Sequence, residues 1–200
     1  MKRLAVFASG KGSNLQAIID AVEKKKIKTE IGLVLSDNPA AYALKRAKRA
    51  KIKTVCLEAQ LFPDRETYDR EVIRYLKEAK IDFVILAGFM RILSAHFVRH
   101  YRGRLINIHP SLLPAFKGAH AVRDAFEYGV KVIGVTVHFV DEKVDHGPII
   151  LQEVLPVYPQ DTLKSLERRV HQLEHRTYPK AVDLLVRGRL KFNGRTVIVR

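Results

Sequence analysis

Hydrophobic positions along this chain follow two rhythms. Short, nearly unbroken apolar runs stand at 4–8, 30–36, 53–58, 82–88, 104–109, 132–140 and 149–157. Between the early runs the spacing changes: Leu15, Ile18, Ile19 and Val22 fall at i, i+3, i+4 and i+7, and Tyr68, Val72, Ile73 and Leu76 share one helical face. Strands that read as continuous apolar runs are those buried on both faces by crossover helices, so the first half predicts a parallel sheet. The runs at 132–140 and 149–157 are joined by a short loop, which predicts antiparallel pairing there. A long helix follows from about 161 to 186, with Leu163, Leu166, Val170 and Leu173 on one stripe and a kink expected at Pro179. The tail predicts a hairpin over Asn193-Gly194. The pattern predicts one α/β domain over residues 1–200, doubly wound in its N-terminal half, with a mostly parallel sheet and an antiparallel C-terminal part.

Composition narrows the class. The chain has 200 residues, 47% hydrophobic and 28% charged, enough for one buried core and unlike a disordered segment. The apolar part of "MKRLAVFASGKGSN" is only Leu4 to Ala8 and runs into a Gly-rich turn, so it reads as a first buried strand in a cytoplasmic protein, not as a signal peptide. No apolar run approaches ~18 residues, which excludes a membrane-spanning helix. A single Cys56 excludes an internal disulfide and offers no metal spacing. The net charge of +15 gathers at residues 23–28 and 44–53, where Lys45, Arg46, Lys48, Arg49 and Lys51 surround a short helix. A solvated helix face, a field for anionic small molecules and a nucleic-acid surface each account for it. No zinc-finger, aromatic RNA-binding or helix-turn-helix pattern accompanies the charge, so nucleic acid ranks behind small molecules.

Three stretches could carry chemistry. In "FASGKGSNLQAI" (7–18) a strand ends at Gly10 and Gly12 and a helix opens at Ser13 or Asn14. Free N–H groups and the helix dipole there suit an anion. The third glycine of a dinucleotide fingerprint and the GK[ST] of a P-loop are both missing, so one phosphate fits better than a pyrophosphate. A plain capped helix, with Ser13 and Gln16 as a capping box, is the competing account. In "LINIHPSLLPAFKG" (105–118) an apolar strand stops at Asn107 and His109, side chains two apart and therefore on one side, before two prolines. The loop 141–147 offers Asp141, Glu142 and Asp145 as the acid to complete the set. Amide, imidazole and carboxylate suit acyl transfer without a covalent step: oxyanion donor, proton carrier, and a counter-charge for the imidazole. A nucleophilic triad lacks its elbow motif around Ser111, and a metal site from His109, His138 and Asp145 lacks HxH or HxxxH spacing. The third stretch, "ILAGFMRIL" (85–93), runs past a strand end and reads either as core or as the wall of a pocket for a flat ring.

Together, "SGKGSNLQAI", "LAGFMRIL", "INIHPSLLPAFKG", "GVTVHFV", "DHGPII" and "VHQLEH" resemble the phosphoribosylglycinamide formyltransferases, folate-dependent enzymes of purine synthesis, in order and spacing over essentially the whole chain. The resemblance implies a formyltransferase-like fold whose N-terminal half is Rossmann-like, residues 1–100 holding phosphate and 101–200 carrying catalysis and folate. It implies transfer of a formyl group from 10-formyltetrahydrofolate, as co-substrate, to the amine of 5'-phosphoribosylglycinamide, with no metal. It assigns catalysis to Asn107, His109 and Asp145. It assigns the ribonucleotide to Gly12, Ser13 and Asn14, for its phosphate, and to His171, Gln172, Leu173 and Glu174. It assigns folate to Arg65, to Met90, Arg91, Ile92 and Leu93, to Asn107, and to Asp141, Glu142, Lys143, Val144 and Asp145. The implied partners are these small molecules, with no membrane or nucleic acid and a homodimer left open. Two departures stand out: His146 follows the expected catalytic Asp where a small or hydroxylated residue is usual, and Lys143-Val144 is bulkier than a Gly-rich loop. Methionyl-tRNA formyltransferase and formyl-folate hydrolase are the alternatives within the chemistry. They normally carry an added domain and do not explain "GKGSN". A basic nucleic-acid-binding protein is the alternative outside it.

Overall fold

The computed structural model describes all 200 residues, Met1–Arg200. Five strands lie parallel in the order β3-β2-β1-β4-β5: β1 (Arg3–Phe7), β2 (Glu30–Ser36), β3 (Thr54–Cys56), β4 (Phe83–Leu86) and β5 (Leu105–His109). Two more extend the same sheet antiparallel beyond β5, β6 (Val132–Phe139) and β7 (Ile149–Pro156). The pleat of β1 explains its unbroken apolar run. Leu4 and Val6 enter a core layer on one face of the sheet, Ala5 and Phe7 a second layer on the other. The helices α1 (Ser13–Glu23), α2 (Tyr42–Arg49), α5 (Ala121–Tyr128) and α6 (Leu163–Val186) cover the first layer through Leu15, Ala43, Ala125 and Leu166. The second is covered by α3 (Arg65–Glu78) and α4 (Ala95–His100) through Tyr68 and Phe97. Fully burying a side chain the size of Leu15 or Phe97 stabilises by ~1.5–3 kcal/mol, so both layers are tightly specified.

Between β1 and β4 the winding reverses: the chain leaves β1 for β2 on one side and returns to β4 on the other. A crevice therefore opens at the carboxyl ends of these two strands, flanked by the 8–12 turn and the 87–91 turn. Several details differ from the sequence pattern. The third strand spans three residues, and α5 stands where the apolar spacing marked nothing. Helix α6 starts at Leu163, two residues later than the pattern suggested, its start fixed by a capping box between Thr162 and Ser165, and it holds Pro179 within its run. The tail forms the expected hairpin, β8 (Leu190–Asn193) and β9 (Thr196–Val199), with Phe192 against Phe139 at a centroid distance of 4.7 Å. No helix is long and apolar enough to cross a membrane.

Candidate active site

Strand pairing assembles the first cluster. Leu105, Asn107 and His109 share one side of β5, and the antiparallel register sets Asn107 opposite His138 of β6. The turn between β6 and β7 then returns Asp145 to the same point. Gly147 makes this return possible: a Cβ there would lie 1.7 Å from the carbonyl oxygen of Phe139, so only glycine passes beneath the end of β6. Asp145 itself sits at φ +45°, a left-handed conformation that Asp tolerates better than most residues.

The buried ring of His109 has Nδ1 3.4 Å from Asp145 Oδ2 and Nε2 2.7 Å from the carbonyl oxygen of Phe116. A carbonyl only accepts, so Nε2 carries a hydrogen. A carboxylate facing Nδ1 suits a hydrogen there as well, as in the imidazolium form. His138 is equally buried but differently tied. Its Nδ1 donates to Phe139 O at 2.8 Å, which leaves Nε2 as an acceptor for the Asn107 amide, Nδ2 at 3.4 Å. Burial lowers the pKa of His138 below its ordinary 6.5, and the attraction of Asp145 Oδ1, 3.9 Å away, does not offset it. His138 is thus a neutral ring that occupies one of the two N–H groups of Asn107. His109, His138 and Asp145, weighed above as metal ligands, do not form a group that could hold a metal ion. The 110–118 segment lies over the cluster. Gly118 N donates to Asp145 Oδ2 at 2.9 Å, and Leu113 N and Ser111 O are both bonded to Thr136 Oγ1 of β6.

At the end of β1 the turn carries a row of free donors. Gly12, at φ +68°, is the N-cap of α1 and makes no side-chain cap bond. The predicted Ser13–Gln16 capping box does not form, because Ser13 is already helical and Gln16 bonds Asp20 and Arg46. The first helical bond is Gln16 N to Gly12 O, so the N–H groups of Gly12, Ser13, Asn14 and Leu15 have no protein acceptor. Asn14, buried, donates to Glu174 Oε2 at 3.1 Å, and its own Oδ1 has no partner. Glu174 also accepts from His171 Nδ1 at 2.9 Å, and this bond raises the pKa of His171 above 6.5. Of the remaining pair on α6, Gln172 is exposed and Leu173 is buried in the core, its side chain packed beneath the helix.

The 88–94 segment is pinned at three points. Met90 N donates to Ser9 Oγ at 2.9 Å, Arg91 stacks over the Tyr68 ring at 4.4 Å, and Ser94 N donates to the buried Asp69 at 2.5 Å. Burial is the largest influence on Asp69 and raises its carboxyl pKa. Leu93 points into the second core layer, whereas Met90 and Ile92 are 70% and 58% exposed. In the 141–147 loop, Val144 is 52% exposed. Asp141 accepts from His146 Nδ1 at 2.6 Å and from Lys143 N, so the added imidazole turns to Asp141 rather than to His109. Glu142 pairs with Arg99, Lys143 is exposed, and Arg65 is exposed at the start of α3. The sequence offers His138 only as a metal ligand with His109 and Asp145, and gives Phe116 and Gly118 no role. The β5–β6 register and the fold-back of the 110–118 segment bring them to Asn107, His109 and Asp145.

The family model for formyl transferase matches residues 2–182. The phosphoribosylglycinamide formyltransferase of Escherichia coli (strain K12) is 48% identical over 190 residues, 95% of this chain and 90% of that protein. The enzyme of that name from Bacillus subtilis is 40% identical over 93% of this chain and 95% of its own. The trifunctional purine biosynthetic protein adenosine-3 of Drosophila pseudoobscura pseudoobscura is 50% identical over 95% of this chain, which spans only 14% of that protein. Among solved structures, glycinamide ribonucleotide transformylase 1 from Symbiobacterium toebii superposes with a TM-score of 0.97 at 44% identity, covering 100% of this chain and 94% of that one. Matched by the family model over residues 2–182 and in fold over its whole length, the chain belongs to the formyl transferase family.

Proposed function

We propose that the chain transfers a formyl group from 10-formyltetrahydrofolate to the amine of 5'-phosphoribosylglycinamide. The observation that carries this reading is the convergence of Asn107, His109 and Asp145 at the carboxyl end of β5, next to the crevice between β1 and β4. Family membership and the enzymes it matches at 40–48% identity support it. The ribonucleotide phosphate fits the free N–H groups of Gly12 to Leu15, and the unpartnered Oδ1 of Asn14 beside Glu174 and His171 suits a sugar hydroxyl. The folate fits the exposed apolar edges of Met90, Ile92 and Val144, a surface that a flat ring would cover. In this reading Arg65, Arg91, Asp141, Glu142 and Lys143 contribute the polar contacts to the folate.

The folate supplies an activated formyl carbon, and the protein supplies charge and position. As the amine attacks, a C–N bond forms, the bond from the formyl carbon to the folate nitrogen breaks, and the amine proton passes to that nitrogen. Negative charge gathers on the formyl oxygen in between. Asn107 donates to it with the N–H that His138 does not hold, and His109 donates a second bond while Asp145 balances the imidazolium. For His109 Nε2 to serve, the Phe116 carbonyl must give up its bond, so the 110–118 segment shifts as substrates enter. The test is formyl transfer with purified protein, glycinamide ribonucleotide and 10-formyltetrahydrofolate. Product that requires both substrates is the expected result. Formylation of methionyl-tRNA, or hydrolysis of the formyl folate without transfer, would replace this reading with one of its relatives.

A further inference from the structure

One arginine of the basic helix is not a solvated surface charge. Helix α2 carries Lys45, Arg46, Lys48 and Arg49, and of these Arg46 alone bonds to the phosphate turn. Its Nε donates to the carbonyl oxygen of Lys11 at 2.9 Å and its Nη1 to Gln16 Oε1 at 3.1 Å, while its guanidinium stacks on Tyr42 at 5.0 Å. The rest of α2 locks the same turn. Ala43 N donates to Gly10 O at 3.1 Å, and a Cβ on Gly12 would lie 2.7 Å from Ala43 Cβ.

We infer that Arg46 is the positioning residue of the phosphate seat. Lys11 O is four residues before Leu15 N, the natural acceptor if α1 began one residue earlier. The guanidinium takes that carbonyl from outside the helix, so the helix opens at Gly12 and Leu15 N remains free for a ligand. The bond to Gln16 holds the guanidinium against the first turn, where its charge adds to the helix dipole. Without Arg46, Lys11 O can turn back to Leu15 N, and the seat loses a donor and a charge together. This rests on the proposed function for the identity of the anion, but not for the geometry.

The experiment compares Arg46→Ala with Arg49→Ala, which removes the same charge from the same helix but bonds only the Tyr42 hydroxyl. For Arg46→Ala, KM for glycinamide ribonucleotide rises about tenfold, the effect of one charge-assisted hydrogen bond, with kcat and the folate KM kept within about twofold. Arg49→Ala leaves all three constants near wild type. An NMR titration with inorganic phosphate, following the amides of Gly12 to Leu15, shows the same weakening and slower hydrogen exchange at Leu15 in Arg46→Ala. Equal effects from the two variants would reduce Arg46 to general field, and a wild-type KM and phosphate affinity in Arg46→Ala would overturn the inference. If wild-type protein shows no turnover, the proposed function falls and the phosphate titration still decides the role of Arg46.

Discussion

The neutral ring of His138 gives the sharpest test of how the amide of Asn107 is aimed. His138→Phe keeps a buried aromatic of similar size but removes the acceptor 3.4 Å from Asn107 Nδ2. That contact is long, so its net worth lies at the low end of a neutral hydrogen bond, ~0.5–1 kcal/mol. The larger effect is orientational: an untethered amide can rotate or flip, forfeiting part of the ~3–4 kcal/mol that an oxyanion donor contributes. A combined loss of about 1–2 kcal/mol lowers kcat roughly five- to thirtyfold. Steady-state kinetics should show this in kcat, with KM for the ribonucleotide unchanged, because the side-chain bonds of His138 go to Asn107 and Phe139 and none to the turn at Gly12. A kcat within about twofold of wild type would refute the tether, as would a defect confined to KM.

The same ring predicts an acid limb. Burial is the largest influence on His138 and His109 acts in the same direction; together they outweigh the Phe139 carbonyl, Asp145 and Asp141, which favour the charged ring, so its pKa in the fold lies below 6.5. Once protonated, Nε2–H would oppose Nδ2–H of Asn107, donor against donor, and the amide would turn away. Activity should fall as pH drops through that lowered value, and His138→Phe should lose this limb. Stability moves with the same sign. The unfolded chain binds a proton at His138 more readily than the fold, so its contribution is present above about 6.5 and is lost as pH falls through the folded pKa. A thermal-unfolding series over this range, with and without His138, isolates that contribution.

Other substitutions divide turnover from binding. Asn107→Ala removes the donor itself and should lower kcat roughly a hundred- to a thousandfold, and full activity would remove Asn107 from the reaction. Asp145→Asn keeps the tolerated left-handed backbone but removes the charge facing His109, so it should depress kcat while phosphate binding, measured by titration, stays intact. Gly12→Ala places a side chain at φ +68°, costing ~1–2 kcal/mol before its clash with Ala43. It should lower the unfolding temperature and raise KM for the ribonucleotide together, and an unchanged KM would detach the turn from the phosphate.

How much of this was legible before the fold was seen depends on the range of the interaction. The apolar runs of β1, β2, β4 and β5 and the helical stripe of α1 follow from the period of side-chain direction, which is local, and they were readable. Asn107 and His109 stood out for the same reason, as polar residues where an apolar strand stops. The Ser13–Gln16 cap was a local inference that a distant residue defeated: Arg46, thirty positions on, takes both Lys11 O and Gln16 Oε1. The apolar letters of Leu93 and Leu173 could not say which way their side chains face, since neighbours on the same segments, Met90, Ile92 and Gln172, turn outward. His138 is the clearest case of lost information. In sequence it is one histidine of eight inside an apolar run, and its role exists only through the register that sets it against Asn107. A rigid antiparallel pairing therefore does more here than hold a strand at the edge of a parallel sheet. In the proposed mechanism it delivers an acceptor to the one amide that must not rotate, and it returns the chain, through a turn only glycine can make, with a carboxylate for the imidazole next to it.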